Sequence, residues 1–309
     1  MGKNKTKRWK KMILSGLSIL KNIPQLFISL FYRDKVILNA YMNIWCGKIY
    51  HNNWGDDLNY YFIQNITNKK IIVYSNSKVS NLSGKINYLC IGSTISWLTN
   101  SKTVIWGGGI ISDEIKILTN YPYKVLAVRG PLTRKYLLDR DIECPEVYGD
   151  PALLLPYFYK PKVNKKYKVG IIPHIADKEN IYVHNFISNY GNDVKLIDIV
   201  NYINWYDVIN EICECEFIIS SSLHGIIVSD AYNIPNLWIE LSNKIIGNRF
   251  KYKDYYMSVN KSVITPYIID KEIDMSIILA LKNTWYPPII DLDGLIKSCP
   301  FKIQHLLKQ

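Results

Sequence analysis

The chain has 309 residues, 48% of them hydrophobic and 21% charged, which is enough for two ordinary cores and too apolar for a disordered chain. Glycine, proline and cysteine are not enriched, which excludes collagen-like and disulfide-stapled classes. Its six cysteines are scattered and lack zinc spacing, so they read as buried thiols of a reducing compartment. The net charge of +12 invites a nucleic-acid partner, but residues 1–35 hold nine basic side chains against the single acid Asp34. The rest of the chain is near-balanced, and no nucleic acid is expected.

At the start, Arg8, Lys11, Ser15, Ser18, Asn22, Gln25 and Ser29 recur at alternating steps of three and four, with Ile13, Leu17, Leu20, Phe27 and Phe31 on the opposite stripe. Residues 1–35 therefore read as a basic amphipathic helical segment. Lys21, Asn22, Pro24 and Gln25 interrupt the ~20 apolar residues that a membrane span needs. The segment either lies on a membrane surface, its cations at anionic head groups, or packs on the protein's own body or on a second copy. No small-residue cleavage site marks it as a signal peptide.

From Val36 onward, strand-like and helix-like stretches alternate, the pattern of βα units around parallel sheets. A first Rossmann-like domain is expected over 36–155, with strands near 36–46, 71–74, 88–92, 103–107 and 124–129 and helices near 56–66 and 131–140. Residues 156–168, with two prolines and five lysines, read as a linker. A second Rossmann-like domain follows over 169–309. Its strands are expected near 167–173, 194–199, 216–220 and 236–240, and its helices near 178–189, 204–214 and 223–233. Further helices near 274–283 and 302–308 are expected to pack back across the first domain. The fold class is α/β, with two Rossmann-like domains facing a cleft, an architecture that resembles the GT-B arrangement.

Several apolar runs end in a polar or glycine-rich signature. Phe217-Ile218-Ile219 enters Ser220-Ser221-Ser222-Leu223-His224-Gly225, which places hydroxyls and one imidazole at a carboxyl strand edge. His224 is the candidate acid/base, against the plainer reading of a capping histidine. Arg129-Gly130-Pro131 ends a strand and opens a helix, where a guanidinium can grip a phosphate or carboxylate; the alternative is a salt bridge to an acid such as Asp150. Gly107-Gly108-Gly109 after Trp106 is either bare backbone against which a ligand or the opposite domain can lie, or a mobile loop. Asn53-Trp54-Gly55-Asp56-Asp57 reads as a helix cap with substrate contact rather than a metal site. His174 and Asp198 close strands of the second domain and can reach the cleft, whereas His51, His184 and His305 lack such context.

Taken in order, Asn53 to Leu58, Trp106 to Gly109, Arg129 to Pro131, Gly149-Asp150-Pro151-Ala152, Ile172-Pro173-His174 and Ser220 to Gly225 resemble the polysaccharide pyruvyl transferase family, in its exopolysaccharide branch. Asp230 to Pro235 and Phe250 to Tyr256 extend the resemblance, which covers roughly residues 50–260. It implies a GT-B-like fold and transfer of a pyruvyl group from phosphoenolpyruvate to a sugar, forming a cyclic ketal without metal or cofactor. His224 would act as acid/base and Arg129 as the donor anchor. Asn53, Gly55, Asp56, Gly107, Gly108, Gly109, His174, Ser221, Ser222, Gly225, Arg249 and Lys251 are the expected substrate contacts. Some branches of the family place an arginine where this chain has Ser222, and Arg129, Arg249, Lys251 or Lys253 would then supply the missing charge. The implied partners are the donor, a saccharide that can be lipid-linked, and the inner face of the cell membrane, with the protein cytoplasmic. A nucleotide-sugar glycosyltransferase and a non-catalytic glycan-binding module are the rival readings.

Overall fold

The computed structural model describes residue 27 and residues 31–45, 48–51, 53–73, 85–114, 120–262 and 265–303. The amphipathic segment expected over 1–35 and the helix expected at 302–308 lie almost wholly outside the described residues. In chain order the first half contains β1 (Lys35–Leu38), an antiparallel hairpin of β2 (Asn43–Trp45) and β3 (Lys48–Tyr50), α1 (Trp54–Thr67) and β4 (Lys70–Val73). It continues with β5 (Asn87–Leu89), α2 (Ile95–Leu98), β6 (Thr103–Trp106), β7 (Lys124–Ala127) and α3 (Pro131–Leu138). A 3-10 helix (Pro151–Tyr157) leads to β8 (Tyr167–Ile172), α4 (Ile181–Tyr190), β9 (Val194–Leu196), α5 (Asp207–Cys213), β10 (Cys215–Ser220) and α6 (Leu223–Ala231). Then come β11 (Asn236–Glu240), α7 (Phe250–Ser258), β12 (Tyr267–Ile268), α8 (Met275–Leu281) and α9 (Leu292–Lys297).

Two parallel five-stranded sheets result, ordered β4-β1-β5-β6-β7 and β12-β11-β10-β8-β9. Counted along each half, both have the order second, first, third, fourth, fifth. This doubly wound arrangement reverses direction between its first and third strands, and ligands bind at the carboxyl ends there. The central strands are buried on both faces, as in β6 and in Val169–Ile172 of β8, which is why they read as unbroken apolar runs. The strand expected over 36–46 ends at Leu38, because the chain turns into the β2–β3 hairpin. Val147-Tyr148 contributes only a single parallel bridge, Tyr148 to Val128.

The halves share core. One apolar cluster unites Leu38, Trp54, Leu58, Phe62 and Trp106 with Ile172, Ile218, Leu223, Ile226 and Tyr252. Fully burying a side chain such as Leu58 or Phe62 contributes ~1.5–3 kcal/mol, so this cluster binds the two halves tightly. Trp54 fastens the start of α1 to the second half, its Nε1 donating to the Trp205 carbonyl (2.7 Å) and its backbone N–H to that of Ile199 (2.8 Å). The last segment returns to the first sheet through α9, not through the two helices expected to do so: α8 packs with Ile171 and Phe186 in the core of the second half, and 302–308 lies almost wholly outside the described residues. Trp106 Nε1 donates to the Leu295 carbonyl at 3.0 Å, and the Phe301 ring packs on Tyr88.

Candidate active site

The two switch points open into one cavity of about 240 Å³. The first sheet supplies Tyr41 after β1 and Ser93 and Thr94 after β5, with Trp97 on α2 and Asn53 and Asp56 at the start of α1. The second supplies His174 after β8 and Ser222 and His224 after β10, and α7 adds Lys251. The sequence-nominated Asn53, Asp56, His174, Ser222, His224 and Lys251 thus share one wall-lined space.

Local structure explains their placement. Asn53 caps α1, accepting from Gly55 N–H at 3.2 Å, and its Nδ2 donates to Asp56 Oδ2 at 3.0 Å, which fixes that carboxyl at the helix mouth. The His224 imidazole lies directly on Gly55, where any Cβ would collide with the ring. An imidazole of the second half therefore rests on the first turn of a helix of the first. Its Nε2 is sealed from solvent and has no hydrogen-bond partner among the described residues, an unusual state for a buried polar atom. His174 Nδ1 accepts from Ala176 N–H at 3.1 Å, which leaves the ring proton on Nε2.

Charge inside the cavity is unbalanced toward the positive. Lys251 is only 9% exposed and makes no hydrogen bond or ion pair among the described residues. Burial and the Arg129 charge lower its pKa to about 8, with Asp56 opposing. Burial and then Lys251, Arg129 and His174 push His224 down to about 3, and burial and then Lys251 push His174 down to about 4. Both imidazoles are neutral at pH 7. Asp56 moves the other way, raised to about 7 by burial and by the neighbouring Asp57. Asp57 itself turns from the cavity and accepts from Tyr202 OH at 2.7 Å, and His51 is held beside it at 3.4 Å.

Other nominated residues stand behind the wall. Arg129 is fully buried. It donates through Nε to Asp254 Oδ2 (3.2 Å), through Nη1 to Ser93 Oγ (2.5 Å) and through Nη2 to the Ile110 carbonyl (2.9 Å). The helix N-terminus expected to receive a donor anion is filled by the same carboxylate, because Asp254 accepts from Thr133 N–H (2.9 Å) and Thr133 Oγ1 (2.6 Å). Arg129 therefore touches the cavity only through Ser93, and its ion-pair partner is Asp254 rather than Asp150. Asp150 instead caps the 3-10 helix, accepting from Ala152 N–H at 3.0 Å.

The three glycines also face protein, Gly107 against Pro151, Gly108 against Leu89 and Gly109 against the Arg129 guanidinium. Gly225 lets α6 approach Ser220 and Ile172. Ser221 is fully buried, accepting from His174 N–H (2.8 Å) and donating to Asp177 (3.1 Å), so it positions the His174 loop. Arg249 forms a two-bond pair with Glu240 (2.7 and 2.8 Å), and Asp198 holds its own loop through Val200 N–H (2.8 Å) and Lys178 (3.2 Å). Of the cations considered as replacement for the arginine missing at position 222, only Lys251 lines the cavity.

Ser93, Thr94, Tyr41 and Trp97 escaped the sequence reading. Gly92-Ser93-Thr94 follows a strand in the same manner as the serines after β10, and that signal was present. Tyr41 and Trp97 had none, since single aromatics carry no spacing.

Two doubly wound sheets sharing one cavity define an α/β protein whose candidate ligand site lies where its halves meet. The chain belongs to the polysaccharide pyruvyl transferase family, whose profile matches residues 36–243. It is 26% identical over 217 residues to the succinoglycan biosynthesis protein ExoV of Rhizobium meliloti, covering 66% of this chain and 61% of that protein. It is also 27% identical over 208 residues to the uncharacterized protein L143 of Acanthamoeba polyphaga mimivirus, covering 66% of this chain and 69% of the relative. An uncharacterized Klebsiella pneumoniae protein of known crystal structure aligns over 82% of this chain and 99% of its own, at 15% identity and a TM-score of 0.41.

Proposed function

We propose that this chain transfers a pyruvyl group from phosphoenolpyruvate to a saccharide, closing a cyclic ketal and releasing phosphate. The observation that carries the reading is the Lys251 ammonium, which makes no hydrogen bond or salt bridge among the described residues, sharing a cavity with two neutral imidazoles and a carboxyl that titrates near pH 7. A buried cation that makes no salt bridge among the described residues favours an anionic ligand, and environments that push an acid and a base apart suit proton transfer in both directions.

In this mechanism the donor phosphate and carboxylate lie against Lys251, with the Ser93 and Ser222 hydroxyls beside them. Protonated Asp56 gives its proton to the methylene carbon of the donor, which becomes a methyl group. A saccharide hydroxyl attacks the adjacent carbon and passes its proton to His224. Phosphate leaves with that proton as the C–O bond breaks. A second hydroxyl then attacks the same carbon and returns a proton to Asp56, so the enzyme ends as it began. The bound anion opposes the Lys251 and Arg129 charges that, after burial, lower the His224 pKa, and so raises its basicity. His174 orients the acceptor.

Incubation with phosphoenolpyruvate and candidate saccharides, free and lipid-linked, tests the reading. Phosphate and a product heavier by one pyruvate ketal should appear in equal amounts. Consumption of a nucleotide sugar instead, or glycan binding with no phosphate released, would contradict it. The cationic residues 1–35 would hold the enzyme peripherally at the inner membrane face, where lipid-linked acceptors lie. Among the described residues no helix is long and apolar enough to cross a membrane. A chain lacking residues 1–33 should leave vesicles of anionic lipid at low salt while still forming ketal on a soluble acceptor. Continued sedimentation with vesicles would place the attachment elsewhere.

A further inference from the structure

We infer that Tyr41 and Trp97 form a stacking subsite for the acceptor glycan at the mouth of the cavity, an inference that rests on the pyruvyl-transfer reading above. The cavity is polarised. Its interior carries Asp56, His174, His224 and Lys251, whereas Tyr41, Trp97 and Ile175 line it while remaining 62%, 39% and 43% exposed. Among the described residues neither aromatic ring stacks on another ring. Tyr41 and Trp97 follow neighbouring strands of the first sheet, β1 and β5, so both stand on its switch point.

A saccharide matches this surface better than a lipid chain does. A pyranose presents an apolar C–H face, which stacks on aromatic rings, and a rim of hydroxyls that need polar partners. Those partners stand alongside. Asn53, Ser93, Ser222 and Lys251 line the cavity with polar side chains. An acyl chain offers these groups no hydrogen bond. Size points the same way, since about 240 Å³ falls below the ~300–1,000 Å³ of sites that enclose drug-sized ligands. The donor and the edge of one sugar fill the interior, and the sugar's face and the remaining glycan must lie across the mouth.

Saturation-transfer NMR on the full chain with methyl glucoside, methyl galactoside, methyl mannoside and lactose tests this directly. Wild-type protein should saturate the ring C–H protons of at least one of these sugars. Trp97→Ala with Tyr41→Ala should abolish the effect, and Trp97→Phe should keep it. In turnover with phosphoenolpyruvate, Trp97→Ala should raise the saccharide KM by about tenfold, the size of one aromatic contact, with the donor KM unchanged. Unaltered saturation in the double variant would overturn the subsite, as would silence from all four sugars in the wild type. Loss of vesicle binding with sugar saturation intact would assign the rings to lipid instead. If sugars saturate normally but phosphoenolpyruvate is never consumed, the subsite stands and the donor assignment falls.

Discussion

Asp254 determines what Arg129 can do. One carboxylate pairs the guanidinium at 3.1 Å and caps α3 at Thr133, with both partners sealed from water. Removing one member of a buried pair leaves an unpaired charge and costs ~3–5 kcal/mol. Arg129→Ala should therefore lower stability by about that amount in urea titrations, and Asp254→Asn should do likewise. A fully stable Arg129→Ala protein that has merely lost donor affinity would return the arginine to the ligand. The motif Arg129-Gly130-Pro131 was legible in the sequence, but its partner lies far along the chain and cannot be read from local spacing. Asp56, expected from the sequence as a substrate contact beside a helix cap, lines the cavity and is the candidate acid there. Asp56→Asn keeps the Asn53 contact feasible and removes the proton, so kcat should fall by ~10²–10⁴ with phosphoenolpyruvate still bound. An unchanged kcat would transfer the acid role to another group.

The start of α1 and the first turn of α7 bring the site together. Asn53 caps α1 and Trp54 ties it to the second half, which places Gly55 beneath the His224 ring. Gly55→Ala must push that ring aside, since overpacking of this kind costs ~1–3 kcal/mol and is relieved by moving the softer neighbour. The variant should fold and lose most of its kcat, and a crystal structure should show the imidazole displaced; wild-type turnover would mean that the contact has no catalytic consequence. Parallel strands were visible in the sequence because burial on both faces leaves them without polar alternation, as in β6, β8 and β10. The β2–β3 hairpin was hidden inside an apolar stretch. The 3-10 helix was hidden as well, because Pro151 and Pro156 read as punctuation although the segment is buried from Pro151 to Leu155.

Across the whole molecule, the paired switch points make stability and activity respond to the same protons. His224 and His174 titrate at about 3 and about 4 when folded, below the ordinary 6.5, so the unfolded chain binds more protons over that window. Their contribution is complete above pH 6.5 and is lost as pH falls through about 4 for His174 and about 3 for His224. Asp56 acts in reverse, favouring the folded state at low pH and losing that contribution as pH rises from 3.8 to about 7. Replacing both histidines with asparagine should flatten the acid side of a stability-against-pH curve, whereas an unchanged slope would mean that other groups drive acid unfolding. The doubled doubly wound order was foreseeable from alternating strands and helices, but the meeting of both switch points in one cavity depends on contacts between the halves that no local pattern records. Calorimetric titration of phosphoenolpyruvate into wild-type protein and Lys251→Met tests the central claim most directly. Binding should be strong below pH 8, weaken as the lysine deprotonates, and fall at least about tenfold in the variant, the loss of one charge-assisted contact. Equal affinity in the two proteins, with the same pH dependence, would contradict the account.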